Sequence, residues 1–277
     1  MRSRQTFLIA LATVSLLEVT TGFAETVIPN SALIPSTGYY TNDLGTNIVT
    51  TGGGNAANVG LASGRNDDGF MALALPFSVT FFGNTYNSLF INNNGSVSFG
   101  AGISSFIPSG PTGAPQPIIS PYFGDVDTRN ALSGVVHYQT NVANQLVVTW
   151  DQVGYFNQHA DVLNSFQLIL RSTDFSVPVG EGNIGFFYST MGWEVTDTSQ
   201  TSAVGFGDGA GNGEVLESSL QSGLNGILQD HHIWFDPNLQ VVGGETPLPA
   251  ALPMFAGGAG VLGFLGWRKR KTKQLKA

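Results

Sequence analysis

Between residues 71 and 81 every second position is apolar: Met71, Leu73, Leu75, Phe77, Val79 and Phe81. A period of two sends one face of an extended chain into a core and the other into water, which a helix cannot do. Pro76 interrupts the run and, lacking a ladder N–H, marks an edge strand or a break. A hairpin follows: Leu89 and Ile91, then Asn92-Asn93-Asn94-Gly95, then Val97 and Phe99, with Asn-Gly supplying the positive φ of a tight turn. Shorter apolar runs recur at 135–138, 146–150, 166–170, 184–188, 203–206 and 233–235. Seven or more strands with glycine and asparagine turns predict an all-β fold, a sandwich or distorted barrel of short antiparallel strands. Residues 41–66, with Gly52-Gly53-Gly54, and 106–117, with four prolines, read as surface loops.

Composition agrees. Of 277 residues, 36 are glycine, 11% are charged and 42% are hydrophobic; ordinary domains carry about 25% charged residues. The apolar fraction excludes disorder, and glycine without a three-residue repeat excludes collagen. There is no long amphipathic helix and no internal repeat. Cysteine is absent, which removes thiol chemistry and thiolate metal sites. Residues 25–246 hold eighteen acids against Arg65, Arg129 and Arg171 and no lysine, a formal −15. Such a body repels nucleic acid and anionic lipid and favours cations.

Both ends read as targeting devices. Residues 1–24 form a signal peptide: a basic start, an apolar run over 7–17, and Gly22-Phe23-Ala24 before a cleavage between Ala24 and Glu25. Residues 250–267 contain no charge and as a helix would reach about 27 Å, enough to cover a bilayer core. Trp267 suits the interface, and the basic stop Arg268-Lys269-Arg270-Lys271 begins a cytoplasmic tail over 268–277, which leaves the body outside. The expected organisation is a signal peptide (1–24), a loop-rich segment (25–66), a β domain (67–236), a linker with a proline motif (237–249), one transmembrane helix (250–267) and the tail.

The stretch Thr246-Pro247-Leu248-Pro249-Ala250-Ala251-Leu252-Pro253, a glycine-rich apolar segment and Gly266-Trp267-Arg268-Lys269-Arg270-Lys271 together resemble the PEP-CTERM sorting signal of Gram-negative bacteria. Here Leu248 stands where the name-giving motif has glutamate, a Pro-Leu-Pro variant. The resemblance implies an exosortase-like membrane protease as a partner, cleavage near Pro247, Leu248 and Pro249, and a destination in the cell envelope or an exopolysaccharide matrix.

A second resemblance covers 143 residues of the body, 67–209. Its pieces occur in order: Asp67-Asp68-Gly69; Phe81-Phe82-Gly83; Ile91-Asn92-Asn93-Asn94-Gly95-Ser96-Val97-Ser98-Phe99; the run from Ile119-Ser120-Pro121 through Asp125-Val126-Asp127-Thr128-Arg129; 134–138; Val148-Thr149-Trp150-Asp151; 164–170; 184–188 with Trp193; and Gly205-Phe206-Gly207-Asp208-Gly209. Together they resemble the NIDO domain, an extracellular domain of nidogens, tectorins and membrane mucins. That resemblance implies an adhesive module without assigned catalytic residues.

Asp125 and Asp127 are the candidate metal ligands. Two apart on a strand, they would point the same way toward one Ca²⁺, with backbone carbonyls or the asparagines of 92–94 completing an oxygen shell. The competing arrangement pairs one of the two with Arg129 and gives the other to turn N–H groups. Asp208-Gly209-Ala210-Gly211-Asn212-Gly213 resembles an EF-hand start, but Ala210 and Ser219 occupy ligand positions, so a glycine-rich turn is expected. His231 and His232 face opposite ways on a strand. Trp150 and Trp193 read as core rather than sugar platforms, and Asn94-Gly95-Ser96 as a turn rather than a glycan acceptor.

The expected function is an exported, non-catalytic adhesion module of the cell surface or exopolysaccharide matrix. Its partner would be extracellular polysaccharide or a surface protein, with divalent cations bridging any acidic polymer. The alternatives are a passive structural matrix component, or a polysaccharide-modifying enzyme using carboxylates such as Asp151 and Glu194.

Overall fold

The computed structural model describes residues 25–50, 62–106, 108–195 and 201–243. The expectations on Ala24, Pro247, Leu248, Pro249, the apolar segment 250–267 and the basic stop lie outside these residues. Among the described residues no helix is long and apolar enough to cross a membrane.

Two sheets pack face to face as a sandwich. One orders its strands as β1 (Glu25–Ile28), β13 (Gly213–Leu216), β12 (Ala203–Asp208), β7 (Pro117–Phe123), β6 (Ser96–Ser98), β5 (Asn84–Asn92) and β4 (Phe70–Phe81). The other runs β15 (Val241–Val242), β14 (His231–Phe235), β11 (Ile184–Met191), β10 (His159–Arg171), β9 (Gln145–Tyr155), β8 (Val136–Gln139) and β3 (Asn47–Ile48), with β2 (Ile34–Pro35) also on β14. Every pairing is antiparallel except β1 on β13. One short helix, α1 (Leu224–Leu228), precedes β14.

The alternation in β4 does what it predicts: Leu75, Phe77, Val79 and Phe81 are buried and their neighbours exposed. Pro76 points outward on an edge strand, inside a register shift between Ala74 and Val79. Several strands are longer than expected, with 12 residues in β4, 11 in β9 and 13 in β10. The apolar runs are only the halves buried on both faces; the first half of β10, 159–163, is half-buried to exposed and mixes polar with apolar residues, so it gives no continuous apolar run. Strands β1, β2, β3, β13 and β15 have two to four residues and gain order by pairing with stronger neighbours. The sandwich thus draws on residues either side of 67–236, and the loop segments of the sequence contribute β3 and the start of β7.

The core lies between the sheets. Phe206 of the first meets Phe186 (5.4 Å between ring centroids) and Phe235 (4.8 Å) of the second, and Tyr122 meets Phe166 (5.3 Å). Trp150 stacks on Phe166 at 5.0 Å and 12°. The outer face of the second sheet, built from Val147, Ile169, Phe187 and Trp234, is capped by Tyr40, whose ring lies 5.4 Å from Phe187 and 5.6 Å from Trp234. Buried Arg171 packs its guanidinium against Tyr40, Phe175 and Trp234 and pairs with Glu181 at 2.7 Å, a cation–π box that fixes the cap.

Three polar bonds cross the core. Trp150 Nε1 donates to Asn93 O at 2.9 Å, Tyr188 Oη to Pro121 O at 2.8 Å, and Tyr122 Oη to Trp193 O at 2.5 Å. The first fixes the β5–β6 turn, and the other two fix β7, against the opposite side of the sandwich. Within that turn Gly95 has φ +77°, and a Cβ there would sit 1.8 Å from Tyr122 O. Gly95→Ala is expected to destabilise the fold by about 3 kcal/mol or more, lowering the melting temperature by roughly 6–12 °C. Gly83→Ala has a similar φ of +75° with nothing within 4 Å of its Cβ, and should cost only about 1 kcal/mol. Thermal denaturation of both variants checks the contrast, and equal costs would show that the close approach to Tyr122 is not limiting.

Candidate functional site

Three turns meet at one end of the sandwich. Asp67-Asp68-Gly69 leads into β4, Asn93-Asn94-Gly95 joins β5 to β6, and Gly124-Asp125-Val126-Asp127 follows β7. Backbone bonds tie them together: Asn93 N–H donates to Gly69 O (2.8 Å), Gly124 N–H to Asn94 O (3.4 Å) and Thr128 N–H to Asn66 O (2.9 Å). Asn94 Oδ1 accepts Val126 N–H at 3.0 Å, while its Nδ2 donates to Asp68 Oδ1 and to Ser105 O, both at 3.0 Å. Asn93 Nδ2 donates to Val126 O (2.5 Å) and Asn66 O (3.5 Å).

These turns bring one carboxylate oxygen each from Asp67, Asp68 and Asp125 within 4.8 Å of one another. The three residues are 4%, 6% and 1% exposed. Arg129 reaches Asp67 Oδ2 at 2.8 Å but spends most of its donors on Asp127, through Nη2 to Oδ2 (2.5 Å) and Nε to Oδ1 (2.9 Å). Asp127 also accepts the Arg129 and Gln158 backbone N–H groups, each at 2.9 Å. No donor among the described residues reaches either oxygen of Asp125, Oδ1 of Asp67 or Oδ1 of Asn93. Arg65 does not help, because its Nη1 donates to the carbonyls of Thr128 (2.7 Å), Asn130 (2.5 Å) and Ser133 (2.9 Å).

The structure therefore separates the two candidate ligands of the sequence. Asp125 joins Asp67 and Asp68, whereas Asp127 is held by Arg129. The two-residue strand argument fails because β7 ends at Phe123 and the chain bends: Val126 bridges to Tyr155, and Asp127 folds back on its own neighbour. Asp67 and Asp68 escaped the sequence reading as ligands, although an acidic pair directly before the longest alternating run was a usable signal. Of the three asparagines, Asn92 is consumed by Ser96, Ser98 and the Ile103 N–H, and Asn94 by the turn; only Asn93 keeps an oxygen without a donor. Asn94 is 1% exposed with its amide engaged, so it is buried turn structure.

Other candidates have structural roles. Trp150 and Trp193 are 0% and 4% exposed. Glu194 accepts the Gly223 (2.7 Å) and Asn225 (2.9 Å) N–H groups at the start of α1, while Asp151 accepts Tyr39 Oη at 2.9 Å. Asp208 closes its glycine-rich turn by accepting the Ala210 and Asn212 N–H groups. His231 Nδ1 lies 2.8 Å from Gln229 O, and His232 stacks on Phe187 at 5.0 Å; each is half-buried.

A family model described as NIDO related matches residues 37–228, most of the chain and all of the acidic junction. Alpha-tectorin of mouse is 28% identical over 133 residues, covering 38% of this chain and 6% of that protein; the human and chicken alpha-tectorins are 27% and 26% identical over the same length. The chain thus spans about 6% of the length of these relatives. No solved structure gives a significant match. The chain belongs to the NIDO-related family.

Four carboxylates share one guanidinium at this junction, and two full charges 4.8 Å apart repel by roughly 3–4 kcal/mol at an effective dielectric of about 20. Burial pushes the Asp125 carboxyl up to about 8, with the charges of Asp67, Asp68 and Asp127 adding to it. Burial likewise raises Asp67 to about 7, helped by Asp127 and Asp68 and opposed by Arg129. A carboxyl that holds its proton to higher pH when folded stabilises the fold fully below about pH 4 and loses that contribution as pH rises toward 8. In chelator, Asp125→Asn should therefore melt close to the unsubstituted protein at about pH 4 and on the order of 10 °C above it at about pH 8. A difference that does not change with pH would mean that Asp125 titrates normally.

Proposed function

We propose that this chain is an exported NIDO-related module that binds by surface contact and catalyses nothing. Membership of that family is the observation that carries the reading. The charge distribution supports it. All three arginines of residues 25–246 are committed internally: Arg65 to loop carbonyls, Arg129 to Asp67 and Asp127, Arg171 to its aromatic box and Glu181. The body has no lysine, so it offers no free base to a polyanion. Its partners are then neutral polysaccharide, a surface protein, or an acidic polymer bridged by divalent cations. A groove of about 320 Å³ lined by Thr37, Tyr39, Asp151, Ser165, Ser189 and Thr190 suits a neutral, hydroxyl-rich ligand. The separate duties of Asp151 and Glu194 weigh against a paired-carboxylate enzyme.

The ends of the chain complete the proposal. Residues 1–24 direct export, and the Pro247-Leu248-Pro249 motif, the apolar segment 250–267 and the basic stop from Arg268 act as a PEP-CTERM-type sorting signal in a Gram-negative envelope. An exosortase-like protease would act on that tail and leave the body anchored or released into the matrix.

Intact mass of the protein recovered from its producing cells is expected to start at Glu25 and to lack about the last 25–30 residues. A mass that includes both ends would overturn the processing proposal. The same protein should co-sediment with exopolysaccharide of its host. Absence of sedimentation with and without Ca²⁺ would favour a passive structural role or a protein partner.

A further inference from the structure

The acidic junction carries a feature that surface acidity does not explain. Both oxygens of Asp125, at 1% exposure, and Oδ1 of Asp67 meet no donor among the described residues, although polar atoms buried this deeply are almost always paired. The second observation is not acidic at all. Asn93 is 1% exposed, and its Nδ2 is pinned to Val126 O and Asn66 O, the residues beside Asp125 and Asp67. Its Oδ1, on the same planar amide, is thereby held at this junction, and it too has no donor. Acceptor oxygens from three chain segments are thus buried at one junction without donors, beside the equally unpartnered Nδ2 of Asn66, and the carboxylates of Asp67, Asp68 and Asp125 converge there.

We propose that Asp67, Asp68, Asp125 and the side-chain oxygen of Asn93 hold one Ca²⁺ ion. The donors are all oxygens, without imidazole or thiolate, which selects hard cations over zinc and copper. Once all four are ionised, Asp67, Asp68, Asp125 and Asp127 set against Arg129 leave an excess of three negative charges, which favours a divalent ion over a monovalent one. Opposed ligands on Ca²⁺, at about 2.4 Å each, are about 4.8 Å apart, and on Mg²⁺ only about 4.2 Å. Separations within 4.8 Å let one ion of either size reach all three carboxylates, and their burial favours Ca²⁺, which takes a shell of protein oxygens, over Mg²⁺, which keeps several waters. Asp127 and Arg129 position the site by bracing Asp67 and leaving its Oδ1 clear.

This ion does not bridge to a ligand, because its ligands are buried; it joins the turn before β4, the β5–β6 turn and the bend after β7. The inference stands whether or not the module binds polysaccharide, and its test reads the ion alone. Chelator-treated full-length protein in detergent is titrated with Ca²⁺, Mg²⁺ and Tb³⁺. Trp150, whose Nε1 donates to Asn93 O, should sensitise Tb³⁺ emission, and Ca²⁺ should displace that signal better than Mg²⁺. Ca²⁺ should also raise the melting temperature with one ion bound per chain. Asp125→Asn should weaken Ca²⁺ roughly 100-fold or more. Asp161→Asn, at an exposed carboxylate, should leave affinity unchanged. The proposal is overturned by unsubstituted protein that shows neither sensitised Tb³⁺ emission nor a Ca²⁺-dependent melting shift, a result that needs no variant to fold. Equal Ca²⁺ affinity in Asp125→Asn would overturn it as well, by assigning the response to the diffuse charge of the body.

Discussion

The ends of a β-sandwich expose backbone that the sheets cannot satisfy, and here three consecutive asparagines satisfy much of it. Asn92 closes on the serines of β6, Asn93 spans from Asn66 to Val126, and Asn94 ties Val126 to Asp68 and Ser105. Gly95 makes this possible by letting the turn lie directly on the backbone of β7, closer than any side chain would permit. The indole of Trp150 then secures Asn93 from the opposite sheet. Register, inter-sheet packing and the placing of the buried acids all depend on this one turn. Its polar side chains are short and inflexible, so little conformational entropy is lost in ordering them.

The central strands were legible because they obey a one-dimensional rule. Alternation in β4, and continuous apolar runs in β9, β10 and β11, reflect faces that are buried whatever the neighbours are. The short strands were not legible: Glu25–Ile28 and Val241–Val242 are rich in β-branched residues but too short to show a period, and they become strands because β13 and β14 present unpaired edges. Length, too, was hidden, since the more exposed half of β10 belongs to the strand without a continuous apolar run.

For the acidic junction, spacing in sequence misled. Asp125 and Asp127 are neighbours in the chain and were treated as neighbours in space, whereas the fold turns them to different partners. Asp67 and Asp68, far upstream, become the true companions of Asp125 because β4 starts where β7 ends. A pairing created by sheet order cannot be read from local pattern, but the ingredients could: asparagines, glycines and acids concentrated in three turn segments and scarce in the strands between them. The same limit applies to arginine. The pairing of Arg129 with a neighbouring aspartate was open to sequence reasoning, whereas for Arg65 and Arg171 only the fold shows the partners.

The edges of the two sheets have a consequence for how such modules can assemble. Among the described residues, β3 and β15 offer two residues each and β1 offers four, too few to template another chain. The one long border, β4, is broken by outward-facing Pro76 and a register shift. Neighbouring copies packed at high local concentration therefore cannot zip together through their backbones. Any lattice they build must be held by side-chain contacts, which can be made and unmade without unfolding the protein.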